Sequence, residues 1–190
     1  MGVYGLIHSL LAGERPRLWA RRRMGAPGRR WYRLVYNLLA GFGLLAILLL
    51  DHSLPDELIY RIPMPWMLLS MSLQGVALLS MLLVVHETGI LTFIGLVSEE
   101  SQPPQLVTSG LYHWMRHPLY TATLLVIWLM PIMTWNLLAI CAGATIYILI
   151  GVRFEERKLL RQFGKKYADY RRHTGMLIPG IKNFKKIQDR

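Results

Sequence analysis

Cysteine is nearly missing from this chain: Cys141 is the single one in 190 residues. That excludes a disulfide scaffold. The six histidines are scattered, so no clustered donor set points to a structural metal, and no metal is expected. Charge is scarce as well. Only 17% of residues are charged against 53% hydrophobic, and the mean hydropathy of +0.32 is high for a soluble domain. A disordered chain would be short of apolar residues, so that class is excluded too. Acidic residues are the scarcest charges, 11 against 22 Lys and Arg, for a net +11. Internal repeats and low-complexity tracts are absent. The length suits one domain, or one membrane bundle of about four or five helices.

The positive charge is unevenly placed. Eight basic residues lie between Arg15 and Arg33, twelve from Arg153 to Arg190, and only Arg61 and Arg116 between those groups. A basic chain can bind nucleic acid. Here the charge flanks long apolar runs, which is a membrane pattern, so no nucleic-acid partner is expected. Leu34–Leu50 holds 17 residues without a charge, Ile62–Val85 holds 24 and Pro118–Val152 holds 35. A helical span needs about 20 residues at about 1.5 Å each. The first two runs are one span apiece. The third is too long for one crossing, and Pro131 with Thr134, Trp135 and Asn136 suggests a turn between two somewhat short arms. LLAGFGLLAILLL lacks the polar stripe that a soluble bundle helix would carry.

The expected fold is therefore all-α, a polytopic membrane bundle of four spans plus a short N-terminal helix. The two basic ends should be cytoplasmic, giving a multi-pass membrane protein. The loop with Asp51, Asp56, Glu57 and one Arg then lies outside, His86–His117 returns inside, and the tip near Trp135 lies outside. The opening MGVYGLIHSLLAG is too short to span and lacks signal-peptide features, so it is expected to be interfacial or partly inserted. Ser98–Ser109 is expected to be a loop, with Pro103-Pro104 forbidding helix.

The stretch from Gln105 to Gly180 carries the chemistry. A hairpin returns its end to the side where it began, so His117 and Glu155 share one membrane face despite 38 residues of separation. Pro118 sets the start of the third span and pushes His117 out of helical geometry. Two carboxylates where a helix leaves hydrocarbon are costly unless wet or partnered. Together these residues can line a polar pocket above apolar helices. Each has a plainer explanation. Arg116 is then a snorkelling interfacial cation, and His117 a turn residue. Glu155 and Glu156 are then a solvated flank paired with Lys158 or Arg161, and Tyr112 and Tyr120 belong to an aromatic belt. Leu159, Phe163, Tyr167 and Tyr170 form one face of a surface helix, and Cys141, mid-span, is packing.

The order Gly-x-Tyr, Arg116-His117-Pro118-Leu119-Tyr120, a hairpin, Glu155-Glu156 and Phe163-Gly164-x-x-Tyr167-x-x-Tyr170 resembles the isoprenylcysteine carboxyl methyltransferase and phospholipid methyltransferase superfamily. His8-Ser9-Leu10-Leu11, Tyr32–Asn37, Phe93–Leu96 and Met176–Pro179 are similar to its bacterial branch of NnrU-like proteins and methanethiol S-methyltransferases. The resemblance implies one membrane methyltransferase domain over residues 1–190. Its parts are a basic arm (1–33), the first two spans (34–97), a cofactor-binding hairpin and tail (98–180) and a basic C-terminal tail (181–190). It implies S-adenosylmethionine (SAM) as cofactor, with Gln105, Leu106, Val107, Tyr112, His117, Pro118, Leu119, Tyr120 and Glu155 binding it. Arg116, His117 and Glu156 become the catalytic candidates, and the acceptor a small thiol or a lipophilic molecule such as a membrane lipid. The family's substrate-side arginine falls on Gly151, with Arg153 two positions off, which argues against a prenylcysteine carboxylate. Methyl transfer is an in-line displacement helped by proximity. A thiol must first lose its proton, and His117 is a possible acceptor by pKa. Two other functions compete: a membrane NADPH-dependent sterol-type reductase, and a non-enzymatic NnrU-like membrane protein.

Overall fold

The computed structural model describes residues 2–89 and 105–180. The expectations for Phe93–Leu96, for residues 98–104 of the loop and for the tail 181–190 lie outside the described residues. The described chain is mostly helical, with three helices long and apolar enough to cross a membrane: Trp31–Ser53, Met64–Glu87 and Trp135–Phe163. This is an all-α membrane architecture, with one small β-ribbon that hydropathy did not foreshadow. The chain divides into two compact units: residues 2–61, 85–89 and 132–144, and residues 62–84, 105–131 and 145–180.

In the first unit, α1 (Gly2–Ala12) lies against α2 (Glu14–Ser53). The basic arm is thus helical and runs into the first apolar span through a kink at Gly25. Three tyrosines clip the two helices together. Tyr32 donates to Leu11 O at 2.6 Å, Tyr36 shares a 2.7 Å hydrogen bond with His8 Nε2, and Tyr4 donates to Ala40 O at 3.0 Å. As α1 descends in number from 11 to 4, its partners climb from 32 to 40, so it runs antiparallel along the first half of the apolar span. The ribbon pairs β1 (Leu58–Arg61) with β2 (Ile132–Thr134) antiparallel. Beside it, Asp56 Oδ1 accepts from the Asn136 amide at 3.1 Å, and the Asn136 side chain donates to Pro55 O. An acidic residue of the first loop therefore caps the helix that follows the hairpin tip, where a negative charge meets the positive helix end.

In the second unit the long apolar run breaks where Pro131 suggested. α4 (Pro118–Trp128) has only 11 residues, whereas α5 (Trp135–Phe163) has 29 and carries Glu155 and Glu156 past the apolar stretch. Among the described residues α4 is not long enough to be counted as a span. It rises about 16 Å. Its last carbonyls would be unsatisfied in hydrocarbon. Two polar residues of α3 (Met64–Thr88) meet that need: Gln74 donates to Val126 O at 2.8 Å, and Ser70 donates to Leu129 O. The expected single surface helix through Leu159 and Tyr170 is instead two. It breaks at Gly164, whose φ of 53° disfavours any other residue, and α6 covers Lys165–His173.

Candidate functional site

The Arg116-His117 turn comes together because three segments converge on it within the second unit. Pro118 occupies the first turn of α4 and leaves His117 as its non-helical cap, as the sequence implied. Residues 174–180 return as a strap beside the turn. The Arg116 amide donates to Gly175 O at 2.9 Å, the His117 amide to Met176 O at 3.1 Å, and the Thr121 hydroxyl to Leu177 O at 2.7 Å. Gly175 permits the strap's tight fold, because a Cβ there would sit 2.0 Å from Ile178 O. The third segment is α5, with its two glutamates.

Arg116 is the centre of the cluster. Its Nε and Nη2 both reach Glu156 Oε1, at 2.7 and 2.6 Å, and Nη1 donates to the Arg171 and Thr174 carbonyls. Its side chain is 9% exposed, so it is no snorkelling interfacial cation. Glu156 is likewise not a solvated flank residue: its partner stands 40 positions away. The buried His117 places Nδ1 3.9 Å from Glu155 Oε2 and Nε2 3.5 Å from Glu156 Oε1, the latter without hydrogen-bond alignment. Burial lowers the His117 pKa from 6.5, outweighing the pull of the two carboxylates, so the imidazole is neutral at pH 7. Tyr120 packs its ring 5.7 Å from that of His117.

The remaining candidates divide. Tyr112 lies on a 3₁₀ turn (Gly110–His113), and its carbonyl accepts from the Tyr170 hydroxyl at 2.5 Å, which joins it to α6. Pro118 is buried and Leu119 half-buried at the start of α4. Gln105, Leu106 and Val107 form a non-helical segment leading towards the 3₁₀ turn, and no described hydrogen bond or ion pair ties them to the Arg116 cluster. Sequence reasoning missed two contributors. Tyr167 was placed on a surface helix, but it is 1% exposed, with its hydroxyl in the field of Glu156 and Arg116. Burial chiefly, and the Glu156 charge with it, push its pKa up to about 12. Thr174 is also buried, its carbonyl held by Arg116. The Gly-x-x-x-Pro-Gly punctuation at 175–180 was the one available signal for the strap.

A cavity of about 240 Å³ lies between α3 and α4, walled by Leu73, Ala77, Ser80, Met115, Thr121 and Leu125, among others. It runs along α4 from Pro118 to Leu129, so its Pro118 end adjoins His117. The unit thus combines a polar cluster, charged two carboxylates to one guanidinium, with an apolar chamber beside it.

The sequence pattern of the phospholipid methyltransferase family matches residues 65–166. Methanethiol S-methyltransferase 1 of Bradyrhizobium diazoefficiens is 31% identical, over 94% of this chain and 64% of that protein. Methanethiol S-methyltransferase of Crocosphaera subtropica is 32% identical, over 95% of this chain and 72% of its own length. Mouse protein-S-isoprenylcysteine O-methyltransferase is 35% identical over 46% of this chain and 32% of its own. The chain therefore spans about two thirds of the length of the first two relatives. No solved structure matches it. With the family pattern covering more than half of the residues, and a relative 32% identical across nearly all of them, this chain belongs to the phospholipid methyltransferase family.

Proposed function

We propose that the chain is an integral membrane methyltransferase that uses SAM and methylates a small thiol or a lipophilic acceptor. The observation that carries this reading is the buried Arg116–Glu156–His117 cluster beside an apolar cavity, in a member of this family. SAM, when bound, supplies a methyl group on a sulfonium that is a good leaving group. The residues fit such a cation. Two carboxylates face one guanidinium and a neutral imidazole, and two buried polar atoms, His117 Nε2 and the Tyr167 hydroxyl, have hydrogen-bonding capacity unused. Glu155 and Glu156 favour positive charge there. Tyr112, His117, Pro118, Leu119 and Tyr120 wrap the cofactor, and Gln105 to Val107 border it. Arg116 holds the turn, α5 and the strap in register, so it orients the pocket more than it touches the reacting atoms.

The acceptor occupies the α3–α4 cavity, whose mostly apolar walls suit an apolar molecule. A thiol gives up its proton at or before attack, and the neutral His117 is the group beside the cavity able to accept it. The relatives named methanethiol S-methyltransferase favour a thiol.

Four crossings with both ends cytoplasmic, in a bacterial inner membrane, fit this reading. The antiparallel pairing of β1 with β2 supports an even number of crossings between the first loop and the hairpin tip. The function is tested by incubating the purified protein with isotope-labelled SAM and either small thiols or lipid extract, followed by mass spectrometry. A labelled thioether or lipid is expected, and unlabelled products throughout would refute the reading. A reporter fused to the C-terminus should give a cytoplasmic signal, and an external one would overturn the topology.

A further inference from the structure

The cavity between α3 and α4 has few means of holding a polar group. Of the side chains that wall it, only Ser80 and Thr121 carry a hydroxyl, and none is charged. Both hydroxyl protons are spent on the backbone. Ser80 donates to Val76 O at 2.8 Å, and Thr121 donates to Leu177 O at 2.7 Å. No side-chain donor is left to fix a head group. An ammonium, carboxylate or phosphate placed there would lose its water without compensation. The occupant is therefore hydrocarbon over most of its length.

Size sets the length of that hydrocarbon. A dry apolar cavity of about 150 Å³ holds benzene, a six-carbon ring. At the same density, this cavity of about 240 Å³ holds about nine or ten carbons. Methanethiol brings a single methyl group and leaves most of that space empty. The chamber is also narrow, because its wall runs from Pro118 to Leu129, about 16 Å along α4. One unbranched chain suits that shape. A phospholipid, with two long acyl chains and a charged head, suits neither the volume nor the wall. The reacting sulfur belongs at the Pro118 end, which adjoins His117, with the tail towards Leu129. Leu73 and Leu125 line the chamber and are also exposed, so it is not sealed, and a longer tail can run out past them.

We propose that the acceptor is a straight-chain aliphatic thiol whose uncharged tail, of up to about nine carbons, fills this cavity. This rests on the methyltransferase reading above and narrows its acceptor. The thiolate sulfur forms the new bond to the methyl carbon, the bond from that carbon to the sulfonium breaks with its electron pair left on the sulfonium sulfur, and the thiol proton goes to His117 as above. The test is methyl transfer by the full chain in detergent, with isotope-labelled SAM and 1-thiols from methanethiol to dodecanethiol, each counted as the fraction dissolved in water. The kcat/KM should rise about fourfold per added methylene and stop rising near about nine carbons. Ala122 is a buried residue of the wall, and Ala122→Leu takes up the space of about three carbons. It should shorten the length at which the rise stops by about that much, and lower kcat/KM for octanethiol about tenfold or more relative to methanethiol. A wild-type kcat/KM that is flat or falls from methanethiol upwards overturns the proposal and leaves the methyltransferase reading standing, whether or not the variant folds. Equal loss for methanethiol and octanethiol in Ala122→Leu also overturns it, because the tail then lies elsewhere. Label that enters lipid but no thiol of any length overturns it as well. Label in neither defeats the methyltransferase reading itself.

Discussion

Replacing Glu156 with alanine isolates the interaction that holds the site together. Arg116 is 9% exposed and directs two of its donors to a single Glu156 oxygen. Removing that oxygen leaves a buried guanidinium with only the Arg171 and Thr174 carbonyls. Breaking one side of a buried pair costs about 3–5 kcal/mol. The surviving carbonyl bonds place this case near the lower end, about 3 kcal/mol. For a chain of this size each kcal/mol moves the melting temperature by about 2–4 °C, so Glu156→Ala should lower it by about 6–12 °C in detergent. Glu156→Gln keeps an acceptor oxygen and should fall by roughly half as much. The double variant Arg116→Met/Glu156→Leu removes both charges at similar volume and should recover much of the loss. Scanning fluorimetry on the four proteins, wild type included, reads the pattern. The reasoning is refuted if Glu156→Ala melts within about 2 °C of wild type, or if the double variant melts no higher than Glu156→Ala.

Burial depresses the His117 pKa in the folded protein, which fixes the sign of its linkage to pH. Its contribution is fully present above the unfolded value near 6.5 and is lost as pH falls through the lower folded value. His117→Gln should therefore flatten the drop in melting temperature between pH 7.5 and pH 5; parallel curves would contradict this. Gly175→Ala pushes a methyl group against Ile178 O and should unseat the strap, costing about 2 kcal/mol or more and weakening S-adenosylhomocysteine binding in calorimetry. An unperturbed melting temperature together with full affinity would remove the strap from the site. Gln74→Leu leaves the Val126 carbonyl unpaired in an apolar setting and should cost about 0.6–2 kcal/mol by thermal melting. Ala77→Met, which fills the cavity wall, should raise KM for the acceptor and leave S-adenosylhomocysteine affinity unchanged; equal KM values would place the acceptor elsewhere.

The membrane class, the two early spans and the break at Pro131 were legible because each depends on a signal confined to neighbouring residues. Runs of about 20 uncharged residues declare a span, and proline declares where a helix starts or stops. The Arg116-His117-Pro118 turn was legible for the same reason, since Pro118 dictates the backbone before it. The arms of the hairpin were not, because the length of α4 depends on partners for its freed carbonyls, and Ser70 and Gln74 lie some 50 to 60 residues earlier in the chain.

Which carboxylate neutralises Arg116 was beyond the sequence too. Glu155 and Glu156 are adjacent and chemically alike, but successive helical residues point about 100° apart, so only the packed orientation of α5 decides that Glu156 turns inward while Glu155 stays 43% exposed. Tyr167 shows the same limit. Its spacing placed it on the apolar side of a helix, yet only the break at Gly164 and the docking of α6 carry its hydroxyl to the buried charges. Hydropathy and proline act along the chain and can be read there. The meeting of Arg116, Glu156, His117 and Tyr167 is made by packing between segments up to 51 residues apart, and no local pattern encodes that distance.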